Sequence, residues 1–250
     1  MTSFLMCWQM FLWIPCPSTK WDQNKVKEML LWLPVIGIIV GGIWYLVYFL
    51  FETFGKGIGP VAAGLLTVLP WFITGFMHLD GYMDCADAAL YFGTKERKIE
   101  ILKDSHVGSF AVISAVILGI LQFSAFLQLG QSPLGYKAMM ALIFIPALTR
   151  SCSIENLFWL KSLSTSEYAD LPMKEKRRYR IIPVLQGIAF FAAIWFLCGM
   201  TVFWAVFIGI VVEELIIIYL RKNLGGFSGD VSGAAITAGE LACLIALAFI

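Results

Sequence analysis

The chain has 250 residues, 60% of them hydrophobic and only 14% charged, with a formal net charge of +1. At a mean hydropathy of +0.82 it is far too apolar for an ordinary soluble domain, and the near-zero charge excludes the basic footprint of a nucleic-acid-binding protein. The composition is that of an integral membrane protein, and with no polar linker and no internal repeat it reads as one membrane domain over residues 1–250.

The first 28 residues begin with an apolar, aromatic run, F-L-M-C-W-Q-M-F-L-W-I-P-C-P. No positive region precedes it and no small-residue cleavage site follows, so the expectation for 1–28 is an interfacial segment with Trp8 and Trp13 at headgroup level. A membrane helix needs about 20 mostly apolar residues. Six stretches meet that criterion: Leu30 to Phe51, Ile58 to Met77, Phe110 to Leu129, Ile181 to Met200, Phe203 to Leu220 and Ala234 to Ile250. A seventh, Leu134 to Thr149, is short and contains Lys137 and Pro146.

Charge decides for the seventh span. With it, all 18 Lys and Arg residues except Lys56 and Lys137 fall on one side, the cytoplasmic one by the positive-inside rule. Without it, the basic residues from Arg150 to Arg180 cross to the outside. The expected fold is therefore an all-α polytopic bundle of about seven transmembrane helices in the plasma or inner membrane, lipid-bound, with the N-terminus cytoplasmic. Homo-oligomerisation is left open.

The six cysteines are Cys7, Cys16, Cys85, Cys152, Cys198 and Cys243, with no CxxC pair, so neither a disulfide framework nor a zinc site is indicated. Carboxylates are the informative residues. In the segment 78–108, Asp80, Asp84 and Asp87 stand at i, i+4 and i+7, which on a helix places them within roughly 60° of arc. Asp104 follows, and the glycine-rich loop 224–235, L-G-G-F-S-G-D-V-S-G-A-A, brings Asp230 to the same side of the membrane. Carboxylates gathered in this way repel one another unless protonated or bridged by cations. An oxygen-only donor set selects a hard cation such as Mg²⁺, and such ions serve phosphoryl transfer. The expected metal ligands are Asp80, Asp84, Asp87 and Asp230, with Asp84 and Asp104 as the catalytic candidates. A cation-coupled transporter using the same acids is the competing class.

Other polar residues have plainer readings. His78 is offset by about 200° from Asp80, away from the carboxylate face, and Glu240 by about 80° from Asp230, so both are supporting residues at most. Lys174 to Arg180, K-E-K-R-R-Y-R, is most simply a topogenic and headgroup cluster. Lys103 and Arg150 either neutralise phosphate or mark helix ends. Glu213 and Glu214 fall inside a span, where charge is expensive.

The segments H-L-D-G-Y-M-D-C-A-D-A, L-K-D-S-H-V-G-S-F and G-G-F-S-G-D-V-S-G-A resemble, in order and spacing, the signatures of the cobalamin synthase (adenosylcobinamide-GDP ribazoletransferase) family, and the opening F-L-W-I-P-C-P is similar to that family's N-terminal pattern. The resemblance implies a polytopic enzyme that joins adenosylcobinamide-GDP to α-ribazole or its 5′-phosphate and releases GMP, with Mg²⁺ as cofactor. It also implies substrate contacts from Gly81, Lys103, Ser105, Gly226, Ser228 and Gly229. The chain departs from the pattern at Cys85 and Ser228, where Thr is usual, and at His106, where Arg is frequent. Lipid CDP-alcohol phosphotransferases share the D-G-x-x-D flavour, but their full pattern is not met here.

Overall fold

The computed structural model describes residues 1–55, 57–132, 134–163 and 173–250, except the side chains of 173–178. Lys56 and most of the Lys174 to Arg180 side chains thus lie outside the described residues. Among the described residues the regular elements are helices, plus one parallel bridge between Ser162 and Phe227.

In chain order these are α1 (Thr2–Phe11), α2 (Val26–Leu30), α3 (Leu33–Phe54), α4 (Pro60–Ile73), α5 (Met77–Leu90), α6 (Lys95–Leu102), α7 (Ser109–Leu129), α8 (Gly135–Met140), α9 (Ile145–Trp159), α10 (Met173–Cys198), α11 (Met200–Leu224) and α12 (Gly229–Ala248). Five of them, α3, α7, α10, α11 and α12, are long and apolar enough to cross a bilayer. Two bent pairs, α4 with α5 at 93° and α8 with α9 at 44°, bring the number of helices able to cross to as many as seven if each pair makes one span. The weak span of the sequence is the second of these pairs and runs on to Trp159, because Pro146 starts α9 instead of ending a helix.

Proline also shapes α4. Pro70 has no N–H to offer the carbonyl of Leu66, and the indole Nε1 of Trp44 on α3 donates to that carbonyl at 2.7 Å. A buried backbone acceptor that would otherwise be orphaned thereby becomes a tie between two helices.

The elbow between α4 and α5 is made by two successive left-handed residues, Gly75 (φ 59°) and Phe76 (φ 62°). For a non-glycine residue this conformation costs about 1–3 kcal/mol and persists only where its surroundings enforce it. The chain after α1 does so. The Trp13 backbone N–H donates to the Ile73 carbonyl at 2.8 Å, and its ring meets that of Phe76 edge-on at 6.4 Å. A Cβ on Gly75 would stand 3.1 Å from the Trp13 indole.

α12 is the central helix, packed against α5, α7, α9 and α11. α10 lies at the periphery and leaves Ile181, Leu185, Ile188 and Phe196 exposed, as a lipid-facing helix would. α1 buries Met6, Cys7 and Phe11 against the same core as α2, α5, α9 and α12.

The mid-span acids are enclosed. Arg150, expected to neutralise phosphate or mark a helix end, is 1% exposed and pairs with Glu240 at 2.7 Å, while a second bond joins its guanidinium to the Pro146 carbonyl. Glu214 accepts from Asn156 Nδ2 at 2.8 Å. Glu213 is fully buried, and neither of its oxygens has a partner among the described residues.

Candidate active site between α5 and α12

The elbow sends α5 alongside α12 in antiparallel sense. Gly81 meets the backbone of Asp230, where an added Cβ would lie 3.0 Å from both Cα and the carbonyl oxygen, and Gly233 meets His78 three residues deeper. A side chain at position 81 would have to push the two helices apart by a few tenths of an ångström. The consequence is chemical. The carboxylates of α5 are brought to the first turn of α12, where Asp230 sits and where the free N–H groups and helix dipole favour an anion.

The expected aspartates divide in two. Asp84 is half-buried and within electrostatic reach of Asp80, Asp230 and Asp87, and Asp230 is likewise within reach of Asp80. Asp87 has a structural task. Its Oδ2 accepts from Gly108 N at 2.7 Å and its Oδ1 from Ala111 N at 3.0 Å. Gly108, at the start of α7, has no side chain with which to cap it, and Asp87 supplies the cap from a neighbouring helix.

The second segment stands apart. Lys103, Asp104 and Ser105 lie on the exposed loop between α6 and α7. Asp104 receives the His106 backbone N–H at 3.0 Å, and the His106 ring Nδ1 lies 2.6 Å from the same oxygen. These hydrogen bonds, the ring's first, hold the Asp104 carboxyl below the usual carboxylate range. Its charged neighbours are His106 and Arg97, not the other aspartates.

The glycine-rich loop is fixed by the 161–163 segment. Leu163 N donates to Phe227 O at 2.9 Å and Phe227 N to Lys161 O at 3.0 Å. Gly226 packs on Leu163, where a Cβ would come within 2.6 Å of backbone nitrogen. Ser228 caps α12, accepting from Val231 N at 3.3 Å, and its hydroxyl donates to Asp230 Oδ2 at 3.3 Å. Gly229 is exposed, with open space around it.

A cavity of about 360 Å³ opens here. Its lining combines polar residues, Asp80, Ser228, Gly229, Asp230 and Ser232, with apolar ones, Met10 and Phe11 of the α1 helix, Leu30, Leu33, Ile154 and Leu157. His78 and Gly81 lie in its wall as well. Sequence reasoning turned His78 away from the carboxylates and found none of the residues of α1, α2 or α9. The periodicity of one helix reports its own faces, and nothing local signals which other helices will close around it. Glu240 lies 10 residues beyond Asp230, about 15 Å along the helix, and serves Arg150.

Among the described residues no group of three or more His, Cys, Asp or Glu side chains is placed to hold a metal ion by itself. Mg²⁺ seldom uses an all-protein cage. It keeps several waters and is held by one or two carboxylates together with substrate phosphates. Asp80 and Asp230, which both line the cavity, with Asp84 within electrostatic reach of them, are an all-oxygen set that fits that open mode.

The sequence model of the family described as cobalamin-5-phosphate synthase matches residues 3–248. An adenosylcobinamide-GDP ribazoletransferase of Clostridium perfringens (strain 13 / Type A) is 34% identical over 247 residues, which is 98% of this chain and 96% of the relative. Proteins of the same name from Clostridium botulinum (strain Alaska E43 / Type E3) and Brevibacillus brevis are 33% identical over 244 residues and 27% identical over 248 residues. They cover 95% and 99% of this chain and 93% and 98% of their own. No solved structure matches.

Proposed function

This chain belongs to the cobalamin-5-phosphate synthase family, and on that premise we propose that it joins adenosylcobinamide-GDP to α-ribazole or its 5′-phosphate, with release of GMP, by Mg²⁺-dependent phosphoryl transfer at the cytoplasmic membrane face. The enzyme is a transferase, like the relatives it resembles in sequence. The observation that carries the reading is the contact of Gly81 with Asp230, which sets the α5 aspartates against the N-terminus of α12 beside an open cavity.

In this reading a ribose hydroxyl of the acceptor attacks the phosphorus that carries the cobinamide. The new P–O bond forms as the bond to the GMP oxygen breaks, and the hydroxyl proton is released. Asp80, Asp84 and Asp230 are the residues that would hold the metal. When bound, Mg²⁺ neutralises that diphosphate and the leaving phosphate. The first turn of α12, with Gly229 open to solvent, offers backbone N–H groups to phosphate oxygens. Ser228 orients the Asp230 carboxylate through its hydroxyl. Asp104, the other catalytic candidate, lies on the exposed loop with its carboxylate bonded to His106.

The cytoplasmic placement rests on charge. Lys95, Arg97 and Lys98 lie on α6, which adjoins α5, and Arg221 and Lys222 close α11 just before the glycine-rich loop. The test is GMP release by the purified protein in lipid nanodiscs, given both substrates with and without Mg²⁺. Asp84→Asn should abolish turnover in folded protein; full turnover by that variant, or by the wild type without divalent metal, overturns the reading.

A further inference from the structure

We propose that the cavity between α5 and α12 is the acceptor subsite, seating the ribazole base against its apolar wall with His78 as the hydrogen-bonding partner, while the corrinoid stays outside. This rests on the transferase reading above and assigns one of its two substrates to the site.

His78 is the first observation. It is 8% exposed, lies in the cavity wall, and its Nε2 has no hydrogen-bond partner among the described residues. Buried polar atoms are almost always paired, so an orphaned ring nitrogen beside an open cavity marks a bond that a ligand completes. The ring is held in place, stacked on Phe11 at 6.1 Å between centroids and 27° between planes.

Shape and polarity are the second. At about 360 Å³ the space suits a small molecule. A corrinoid nucleotide has several times the atoms of a benzimidazole riboside and does not fit. The guanosine end of the donor is similar in size to ribazole, but polarity separates them. Guanine carries donors and acceptors around most of its edge, and burying them unpaired is expensive. Leu30, Leu33, Ile154 and Leu157 offer them nothing, and of the polar side chains in the lining Asp80 and Asp230 are committed to the metal in the reading above, which leaves His78, Ser228 and Ser232. A methylated benzimidazole presents a hydrocarbon edge and few polar atoms, which is what this wall accepts. With the base seated there, the ribose hydroxyls point back toward Asp80 and Asp230, where the phosphorus must lie.

The test uses the full-length protein in nanodiscs. Equilibrium dialysis of labelled α-ribazole without corrinoid should show saturable binding. His78→Ala should weaken it by about tenfold and His78→Gln should restore part of the loss. Leu157→Trp, which fills space among the apolar residues without touching His78, should weaken it also, and thermal melts identify any variant that has merely failed to fold. In turnover, His78→Ala should raise the KM for α-ribazole and leave the KM for adenosylcobinamide-GDP within twofold. Wild-type protein that binds no ribazole, or variants that lose GMP binding and keep ribazole binding, would overturn the proposal. So would normal turnover with an unchanged ribazole KM in both variants, an outcome that leaves the transferase reading standing. His78-dependent ribazole binding by a protein that releases no GMP would uphold the subsite and sink the transferase reading.

Discussion

Gly81 and Asp230 touch backbone to side-chain position, with only 3.0 Å between the Asp230 carbonyl oxygen and the place a Gly81 Cβ would occupy. Neither atom is the flexible end of a side chain, so an added methyl must move a helix. Gly81→Ala should part α5 from α12 by a few tenths of an ångström, at an overpacking cost of about 1–3 kcal/mol. Turnover should drop by at least tenfold, because Asp80 and Asp84 shift relative to Asp230. Measured kcat and a thermal melt check this; a variant with a lower Tm and an unchanged kcat would show that the spacing matters to packing alone.

Asp87 separates from the other aspartates in the same experiment. Because it caps α7 through Gly108 and Ala111, Asp87→Ala should destabilise the protein by about 1–2 kcal/mol. The Mg²⁺ concentration for half-maximal activity of the folded fraction should stay unchanged. Asp80→Asn and Asp230→Asn should do the reverse, raising the Mg²⁺ requirement with little change in Tm. A Mg²⁺ titration that moves with Asp87 would return it to the metal set.

Arg150 and Glu240 form a buried pair, and removal of one partner strands the other's charge. Glu240→Ala should cost about 3–5 kcal/mol, and replacing both residues with apolar ones of similar volume should recover much of it. Denaturation in detergent micelles provides the comparison. Equal losses in the single and double variants would refute the pairing.

The Asp104–His106 contact gives a pH-dependent outcome. The folded-state value of Asp104 is depressed, so its contribution is present above the ordinary carboxylate range and disappears as pH falls through the depressed value. His106→Ala should raise the Asp104 pKa toward the ordinary value, read by carbon NMR of labelled Asp. An Asp104 titration that is the same in both proteins would deny the ring a part in it.

Sidedness can be read by labelling. Single cysteines at positions 95 and 137, introduced with Cys16 and Cys152 replaced by Ser, should react with an impermeant reagent from opposite faces of sealed vesicles. Reaction of both from one face would refute seven crossings.

Much of this architecture was legible in the sequence. The apolar runs located the five long helices and the bent pair through Pro146, while the expected span from Ile58 to Met77 breaks at Ile73 into the 93° elbow. The spacing of Asp80 and Asp84 located the acidic face of α5. What escaped was tertiary. Asp87 shares that face, yet its oxygens are taken by a helix that begins 22 residues later, and the bare Gly108 at the start of α7 was the only hint. His78 appeared to point away because one face was assumed to be functional. The elbow at Gly75 and Phe76 instead turns α5 so that α1 and α9 can enclose its other side. Arg150 looked like a phosphate contact or a helix end because nothing local reveals that Glu240 waits opposite.

That elbow has a mechanical consequence. Phe11 forms part of the cavity wall, and Trp13, two residues on, clasps Gly75 and Phe76. A guest pressing on Phe11 therefore pulls on the same short tether that keeps a strained turn shut. A filled cavity should show itself as slower amide exchange at Phe76 and Met77.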